Sequence, residues 1–558
     1  MSAYLELHCH SHYSLLDGAS SPEDLIARAA EVGMSALALT DHDAVYGAVR
    51  FTQAAAERSI KPILGAELTL SDGSHLTLLV RDSTGWANLC ALITAGRHNA
   101  DKGDSRLPEG VLADHTAGLI ALSGCRKGQL SALLKAGKRD QAAQTAAAYR
   151  DQFGAKNFYI ELQHHYLPDD DWLNAERAAL AQSLNIPLVA TNNVHYATPE
   201  HTRLQHVLTC IRHNTSLDEG WMLLRPNAEY YLKSPDEMAR RFAAYPDAIT
   251  NTVRIVESCE FQLEFGLQEL PIYPTPDGIS AHDYLVSLSL DGLKTRSMEI
   301  TEKVERQLAH ELAVIARSGL ANYFLIVWDI VRYAVEHGIY CQGRGSAANS
   351  LVAYALGISP VNPIAQNLVF ERFLSDERRA VPDIDIDFDA ARREEVIQYV
   401  YERYGHDHAA MACTFVTFRA RSAVRDVGKA LGLPPELIDK AASALDTYQS
   451  DLSDQSALKE ALGGRGTSDL WAHLIDLVNQ LEGFPRHLGI HNGGMIVMGS
   501  PLASRLPTEP ATMPDRYVVQ WDKDSLEEAG ITKIDILGLR MLSAIADTAK
   551  AVFSDADA

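Results

Sequence analysis

Acidic and apolar residues alternate through Pro382-Asp383-Ile384-Asp385-Ile386-Asp387-Phe388-Asp389. A period of two predicts a β-strand with Asp383, Asp385 and Asp387 on one face and Ile384, Ile386 and Phe388 on the other. The apolar face suits a core. The stacked carboxylates repel one another unless cations or basic side chains answer them. An exposed acidic edge strand fits this segment, and so does a divalent-cation site. In the second case two carboxylates two residues apart, joined by a third from elsewhere, suit a pair of Mg²⁺ ions in phosphoryl transfer. The alternation returns at Lys533-Ile534-Asp535-Ile536-Leu537-Gly538, where Lys533 and Asp535 share a face. Asp535 is the candidate third carboxylate, and Lys533 is a candidate to offset phosphate charge.

The N-terminal half has another rhythm. Residues 5–12 are predicted as a short strand running into a loop, with His8 and His10 on one side. A helix from about Ser21, capped through Asp24, runs to Val32 and stops at Gly33. An apolar strand over 36–40 delivers Asp41-His42-Asp43, and after a helix a strand over 63–67 ends in Glu67. His98 follows a further helix, and a strand over 118–125 ends in Cys125. Another strand covers 158–162, and one over 186–191 runs into Asn192-Asn193-Val194-His195. Strand and helix alternating, with polar residues at strand C-termini, predict a β/α barrel that presents a site there. His, Asp, Glu and Cys recurring at those ends suit a multinuclear metal site, with His8, His10, His42 and His195 foremost. Its natural chemistry is attack of a bridged hydroxide on a phosphate ester. Any one of these histidines alone fits a surface or satisfied core position better.

Residues 202–264 read as mainly helical, and Gly266, Pro271, Pro274, Pro276 and Gly278 then mark a linker and domain boundary. Helices are predicted from Asp283, over 304–319, and over 323–337 with Gly338 as terminator. Gln342-Gly343-Arg344-Gly345-Ser346 follows, where glycines beside a small hydroxyl let backbone N–H groups approach a phosphate and Arg344 brings charge. This is not the lysine-containing Walker loop, and a tight turn capping a helix from Ala347 is the alternative. A helix over 394–404 ends at Gly405. Beyond it, Arg421, Arg425 and Lys429 fall at i, i+4 and i+8 of a helix. This basic stripe is either a solvated face or a DNA- or triphosphate-facing counterweight to the acidic strand. Residues 430–484 are predicted as helices around a polar stretch at 463–468, an inserted mobile subdomain, before strand character returns over 486–497. Residues 554–558 read as a frayed tail.

Length and charge narrow the picture. The 558 residues and 61.2 kDa exceed one core, so about two to four domains are expected. No apolar run reaches the ~18 residues of a membrane span, and the start lacks a basic region followed by an apolar core. Seven scattered cysteines form no disulfide framework. The expectation is a cytoplasmic protein without a membrane partner. The net charge of -23 argues against a general nucleic-acid binder. Basic islands at Arg378-Arg379, Arg392-Arg393 and 419–429 still allow a nucleic acid in one cleft.

Seven stretches together resemble the C-family bacterial DNA polymerases, the alpha subunit of DNA polymerase III, with wording closest to the error-prone, damage-tolerant branch. They are 8–18, 40–43, 341–350, 382–388, 421–429, 513–523 and 533–538. The resemblance covers essentially the whole chain. It implies an α/β multidomain fold: a PHP (polymerase and histidinol phosphatase) domain over 1–270, a distorted β/α barrel, then a mixed-sheet palm over 271–429 and 511–558 with an inserted helical thumb over 430–510. It implies Asp385, Asp387 and Asp535 as the catalytic carboxylates on Mg²⁺, and Arg344, Gly345, Ser346 and Lys533 as phosphate contacts. The implied PHP ligands, for Zn²⁺ or Mn²⁺, are His8, His10, Asp17, His42, Glu67, His98, Cys125 and His195. Asn193 stands where members with a complete metal site carry an aspartate, which puts one metal in doubt. Primer-template DNA and dNTPs are the implied partners. A sliding clamp and accessory damage-tolerance proteins would bind through fingers and later domains that this chain lacks. The chain alone is therefore expected to be weak or dead as a polymerase. The competing expectations are a free-standing metal-dependent phosphoesterase in the first 270 residues and a non-catalytic fragment.

Overall fold

In a computed structural model, residues 4–265, 270–374, 382, 384–445 and 469–553 are described. The chain divides into two compact units. The first comprises Met1–Leu263, Phe415–Gly489 and Ser504–Pro510, and the second Glu264–Thr414, Ile490–Ala503 and Ala511–Ala558.

The first unit is built on a six-stranded sheet of β1 (Ala36–Leu39), β2 (Lys61–Thr69), β3 (His75–Val80), β4 (Leu119–Leu122), β5 (Phe158–Leu162) and β6 (Leu188–Ala190), in that spatial order. The strands are almost wholly buried, as apolar runs with helices on their outer faces require. Strand β3 breaks the β/α rhythm, because it is antiparallel to both β2 and β4. The predicted first strand is instead a loop that makes two isolated bridges. Glu6 pairs with Leu37 beside β1, and Cys9 with Val194 just past β6. That loop spans the two edges of the sheet and closes the barrel. Its backbone is anchored by the buried Glu6 carboxylate, which accepts from the amides of Leu7, His8 and Asn192 and from the Tyr4 hydroxyl. The first predicted helix is Pro22–Glu31, with Ser21 and Asp24 forming the expected capping box.

Helices Ala420–Ala430, Pro435–Ser443 and Asp469–Leu481 also belong to the first unit. Their apolar faces pack on the barrel's helix Thr202–His213 in one core, which includes Leu204, Leu208, Val424, Val427, Leu474 and Val478. Strand β11 (Thr508–Pro510) lies in this unit as well. The polar stretch at 463–468, the residues Arg378 and Arg379, Asp383, Gly266 and the tail at 554–558 fall outside the described residues.

In the second unit a mixed sheet contains β7 (Cys341–Arg344), β8 (Asp385–Asp389), β9 (Ala409–Thr417), β10 (Pro485–Val497), β12 (Tyr517–Asp522) and β13 (Lys533–Leu539). Their order is β12-β9-β10-β13-β8-β7. The chain leaves this unit along β9 and re-enters it along β10. Helices Glu302–Arg317, Ala321–Glu336 and Arg393–Tyr404 flank the sheet. The last two are stitched by the fully buried Asp329, which accepts from Arg332, Tyr399 and Tyr404. The overall architecture is thus an α/β multidomain fold, a PHP-like barrel sheet followed by a mixed-sheet palm with an inserted helical thumb. No single helix among the described residues is long and apolar enough to cross a membrane.

Leu474 is fully buried in the shared core of the first unit. Leu474→Ala should cost about 2–5 kcal/mol by removing burial and leaving a cavity. Chemical denaturation followed by circular dichroism measures this, and a cost under about 0.5 kcal/mol would mean that the helices do not share that core.

Candidate functional site

Two clusters emerge, one in each unit. In the barrel, strand ends and the closing loop bring His8, His10, His42, Glu67, His75 and His195 together. Ligand atoms fall within 4.8 Å of one another in three overlapping sets: His8, His10 and Glu67; His10, His42 and His195; and His42, Glu67 and His75. Glu67 is the hub. Its Oε1 lies 3.3 Å from His8 Nε2, and its Oε2 lies 3.1 Å from both His42 Nδ1 and His75 Nδ1. Asp17 joins through His42 Nε2 at 3.4 Å and His195 Nε2 at 3.7 Å, and Cys125 through His75 Nδ1 at 3.7 Å.

The outward nitrogens are held. His8 Nδ1 bonds Glu161 at 2.7 Å, His10 Nδ1 bonds the Ser14 hydroxyl at 3.0 Å, and His195 Nδ1 donates to the Asn193 carbonyl at 2.8 Å. Such partners fix the ring and tautomer of a metal-ligating histidine. By contrast the inward His8 Nε2, His10 Nε2 and Glu67 Oε1 are buried without a hydrogen-bond partner. Unsatisfied buried nitrogen and oxygen ligand atoms are what a metal centre would satisfy. Burial holds the His10 imidazole well below its ordinary value, aided by His42 and His195, so it is neutral as a ligand must be. At His8 burial is outweighed by Glu161 and Glu67, which lift the imidazole to about 10. The positive charge demanded there by two carboxylates is charge that a divalent ion would bring. The cluster could therefore coordinate a metal ion.

A cavity of about 500 Å³ opens over Asp17, His42 and His75, with Arg97, Lys127 and Arg212 also on its wall. Asn193 adopts the left-handed conformation, at φ 45°, and its buried Oδ1 has no partner.

His98 lies apart from this cluster. It ends the helix Ser83–His98, and its Nε2 sits 3.1 Å from Thr508 Oγ1. The ligand-type residue that the sequence pattern did not single out is His75, at the first position of the antiparallel β3. A signal was present in His75-Leu76-Thr77-Leu78, a period-two run directly after the turn at Asp72-Gly73.

In the second unit, β13 runs parallel to β8 with Asp535 in register with Asp385. Register partners on neighbouring strands project to the same face, about 4.8 Å apart, and Asp387 follows on that face two residues along. Of these side chains Asp385 is 32% exposed, Asp387 6% and Asp535 10%. On the other face Ile384, Ile386 and Phe388 are buried, as the alternation predicted. Strand β7, antiparallel to β8, sets Arg344 opposite Asp385. Its guanidinium reaches Asp385 at 3.9 Å and Asp387 at 3.5 Å, while Lys533 Nζ lies 2.7 Å from Asp535 Oδ2. Arg344 and Lys533 supply the counter-charge that the carboxylates need. Asp535 Oδ1 remains buried without a hydrogen bond. An all-oxygen donor set with such an oxygen fits a hard cation.

Gly345, at φ +67°, opens a 3₁₀ turn over Gly345–Asn349, and the following helix starts at Leu351 with Ser350 as its cap. The buried Glu311 carboxylate takes the Ser350 hydroxyl at 2.8 Å and the Leu351 and Val352 amides. Arg421, Arg425 and Lys429 lie on the helix Ala420–Ala430 of the first unit. There Arg425 approaches Asp439 at 3.8 Å and Lys429 donates to Asn214.

Residues 6–165 match the PHP domain family, and residues 283–538 match the family described as Bacterial DNA polymerase III alpha NTPase domain. The chain belongs to the bacterial DNA polymerase III alpha family. Within it, the error-prone DNA polymerase of Symbiobacterium thermophilum is 42% identical over 569 residues, covering 99% of this chain and 52% of its own length. Those of Mycobacterium bovis and Pseudomonas aeruginosa are 42% and 41% identical over 97% and 98% of the chain. The chain spans about half the length of these relatives of the polymerase III alpha family. Among solved structures, an amidohydrolase from Chromobacterium violaceum with bound SO4 and no metal overlaps 35% of the chain at TM-score 0.25 and 20% identity, too little to inform fold or site.

The barrel cluster generates a metal-removal prediction. Zn²⁺ or Mn²⁺ at about 100 times its dissociation constant should stabilise the protein by about 2.7 kcal/mol. Chelation should reverse the gain, and His10→Ala should abolish it. Thermal unfolding with and without metal, alongside elemental analysis, reads the effect. An equal response in His10→Ala would place the metal elsewhere.

Proposed function

We propose that the second unit carries the nucleotidyl-transfer site of an error-prone-type DNA-directed DNA polymerase, acting in damage-tolerant DNA synthesis in the cytoplasm on primer-template DNA and dNTPs. The observation that carries this reading is the in-register pairing of Asp535 with Asp385, which puts three carboxylates on one face. Asp385, Asp387 and Asp535 would hold two Mg²⁺ ions. When bound, these ions lower the pKa of the primer 3′-hydroxyl and stabilise the departing pyrophosphate.

The chain's own residues bind and orient the reactants. Arg344 is half exposed and its guanidinium makes long ion-pair contacts, 3.9 Å to Asp385 and 3.5 Å to Asp387. It is therefore free to transfer its charge to a triphosphate once cations replace it on the carboxylates. The Gly345–Ser346 turn offers amides and a hydroxyl to the same phosphates. Glu311, by holding Ser350 and two amides behind that turn, keeps its position fixed. Lys533 guards the Asp535 carboxylate and would offset phosphate charge. Template reading falls to base pairing and steric fit. Sliding-clamp and accessory-protein contacts are assigned to the portion of the relatives' length beyond this alignment.

Mg²⁺-dependent dNTP binding by the purified chain, measured by calorimetry, tests the site, as does any template-directed incorporation. Both should fall by at least about a hundred-fold in Asp385→Ala, Asp387→Ala, since the charge-assisted ligands are lost. Undiminished binding or incorporation in that double variant would overturn the reading.

A second reading concerns the barrel. The buried histidine cluster beneath a cavity walled by Arg97, Lys127 and Arg212 supports metal-dependent phosphoester hydrolysis there, with Zn²⁺ or Mn²⁺. Asn193, an amide in place of a carboxylate, weakens one metal position. Hydrolysis of a phosphodiester substrate should be Mn²⁺- or Zn²⁺-dependent and should disappear in His8→Ala and His42→Ala. Hydrolysis that survives both substitutions would refute it.

A further inference from the structure

Beside Asp535 stands a histidine that the scheme above leaves unused. His491 lies on β10, three residues before Gly494, and Gly494 pairs with Asp535 across the antiparallel β10–β13 ladder. His491 Nδ1 accepts from the Gly494 amide at 2.7 Å and more weakly from the Gly493 amide at 3.3 Å. It also lies 3.9 Å from Asp535 Oδ1.

The close approach depends on glycine. A Cβ on Gly494 would lie 2.8 Å from His491 Nδ1, 3.1 Å from Asp535 Oδ1 and 3.3 Å from Lys533 Cδ. The backbone of β10 is thus a floor over which three polar side chains converge. A nitrogen that accepts from an amide carries no proton, so the neutral ring has its hydrogen on Nε2. Nε2 has no hydrogen-bond partner among the described residues, and the side chain is 18% exposed. The result is an N–H donor of fixed orientation at the margin of the carboxylate cluster.

We propose that His491 is a substrate-contacting residue of the nucleotidyl-transfer site, its Nε2–H donating to a phosphate oxygen. The phosphate comes either from the incoming triphosphate or from the nucleic-acid backbone. An anion is the matching ligand because a neutral donor flanked by Lys533 and Arg393 has no acceptor of its own, whereas Asp535 is committed to Lys533 on one oxygen. The inference rests on the two-metal reading of Asp385, Asp387 and Asp535.

The test uses the chain itself, with Mg²⁺·dATP in one arm and a primer-template duplex in the other. Affinities are measured for the unaltered protein and for His491→Ala, His491→Gln and Asp385→Asn. His491→Ala should weaken one arm about ten-fold, the worth of a hydrogen bond to a charged acceptor. His491→Gln, whose amide N–H reaches the place of Nε2, should restore most of it, a rescue that a purely structural role would not give. A loss in the dATP arm assigns the triphosphate, and a loss in the duplex arm assigns the nucleic-acid backbone. If both arms are unchanged while Asp385→Asn still abolishes Mg²⁺-dependent dATP binding, the inference fails and the two-metal reading stands. If the unaltered chain shows no Mg²⁺-dependent binding, the two-metal reading falls and takes this inference with it. Circular dichroism confirms that each variant is folded, and His491→Gln, closest in size, decides the case if His491→Ala is not.

Discussion

Electrostatic repulsion among carboxylates on one sheet face is the constraint from which the second unit follows. Side chains in register on adjacent parallel strands cannot escape one another, so Asp385 and Asp535 are held close by the backbone ladder, and Asp387 extends the row. The protein meets this cost with charge on both flanks. Strand β7 brings Arg344 opposite Asp385, and Lys533 lies two residues ahead of Asp535 on its own strand. Apolar residues on the other face of β8 lock that strand into the core, so a slip of one residue would bury the acids and expose Ile384, Ile386 and Phe388. Register and charge placement are therefore one device. A buried Asp535 oxygen without a hydrogen bond marks the place on this face where counter-charge is still wanted.

The barrel applies the same logic with softer ligands. Glu67 and Asp17 are surrounded by imidazoles, of which His8, His10 and His195 have their outer nitrogens tied down by Glu161, Ser14 and the Asn193 carbonyl. Orientation is fixed by groups that do not themselves face the centre. The anchoring of Leu7, His8 and Asn192 on the single buried Glu6 carboxylate shows how barrel closure and ligand placement share a cause. The loop that seals the sheet is also the loop that delivers His8 and His10.

Much of this was legible in the sequence, and the misses have physical reasons. The period-two alternation at 384–388 and 533–538 carries strand and facing in one pattern, and the structure keeps both. The histidines at parallel strand ends were legible because the β/α rhythm announces those ends. His75 was not, because β3 runs antiparallel and enters the cluster at its N-terminal residue, against the rule used to find the others. His98 showed the converse error: its place after a helix fitted the rhythm, but its side chain turns to Thr508. Residues 5–12 alternate like a strand yet form only two bridges, since closing a gap between sheet edges leaves no full ladder on either side. His491 was hidden for another reason. Its role depends on a glycine three residues on and on a strand some forty residues away, which no local pattern encodes.

The core shared by helix Thr202–His213 and the inserted helices has a practical side for anyone trimming this protein. Leu204, Leu208, Val424 and Leu474 are each at most about one per cent exposed, and they come from stretches more than two hundred residues apart in the chain. Excising the barrel to obtain a minimal palm-and-thumb fragment would strip one wall from that core. The fragment would present a sticky apolar face where the intact chain has none, and it would aggregate for reasons unrelated to catalysis.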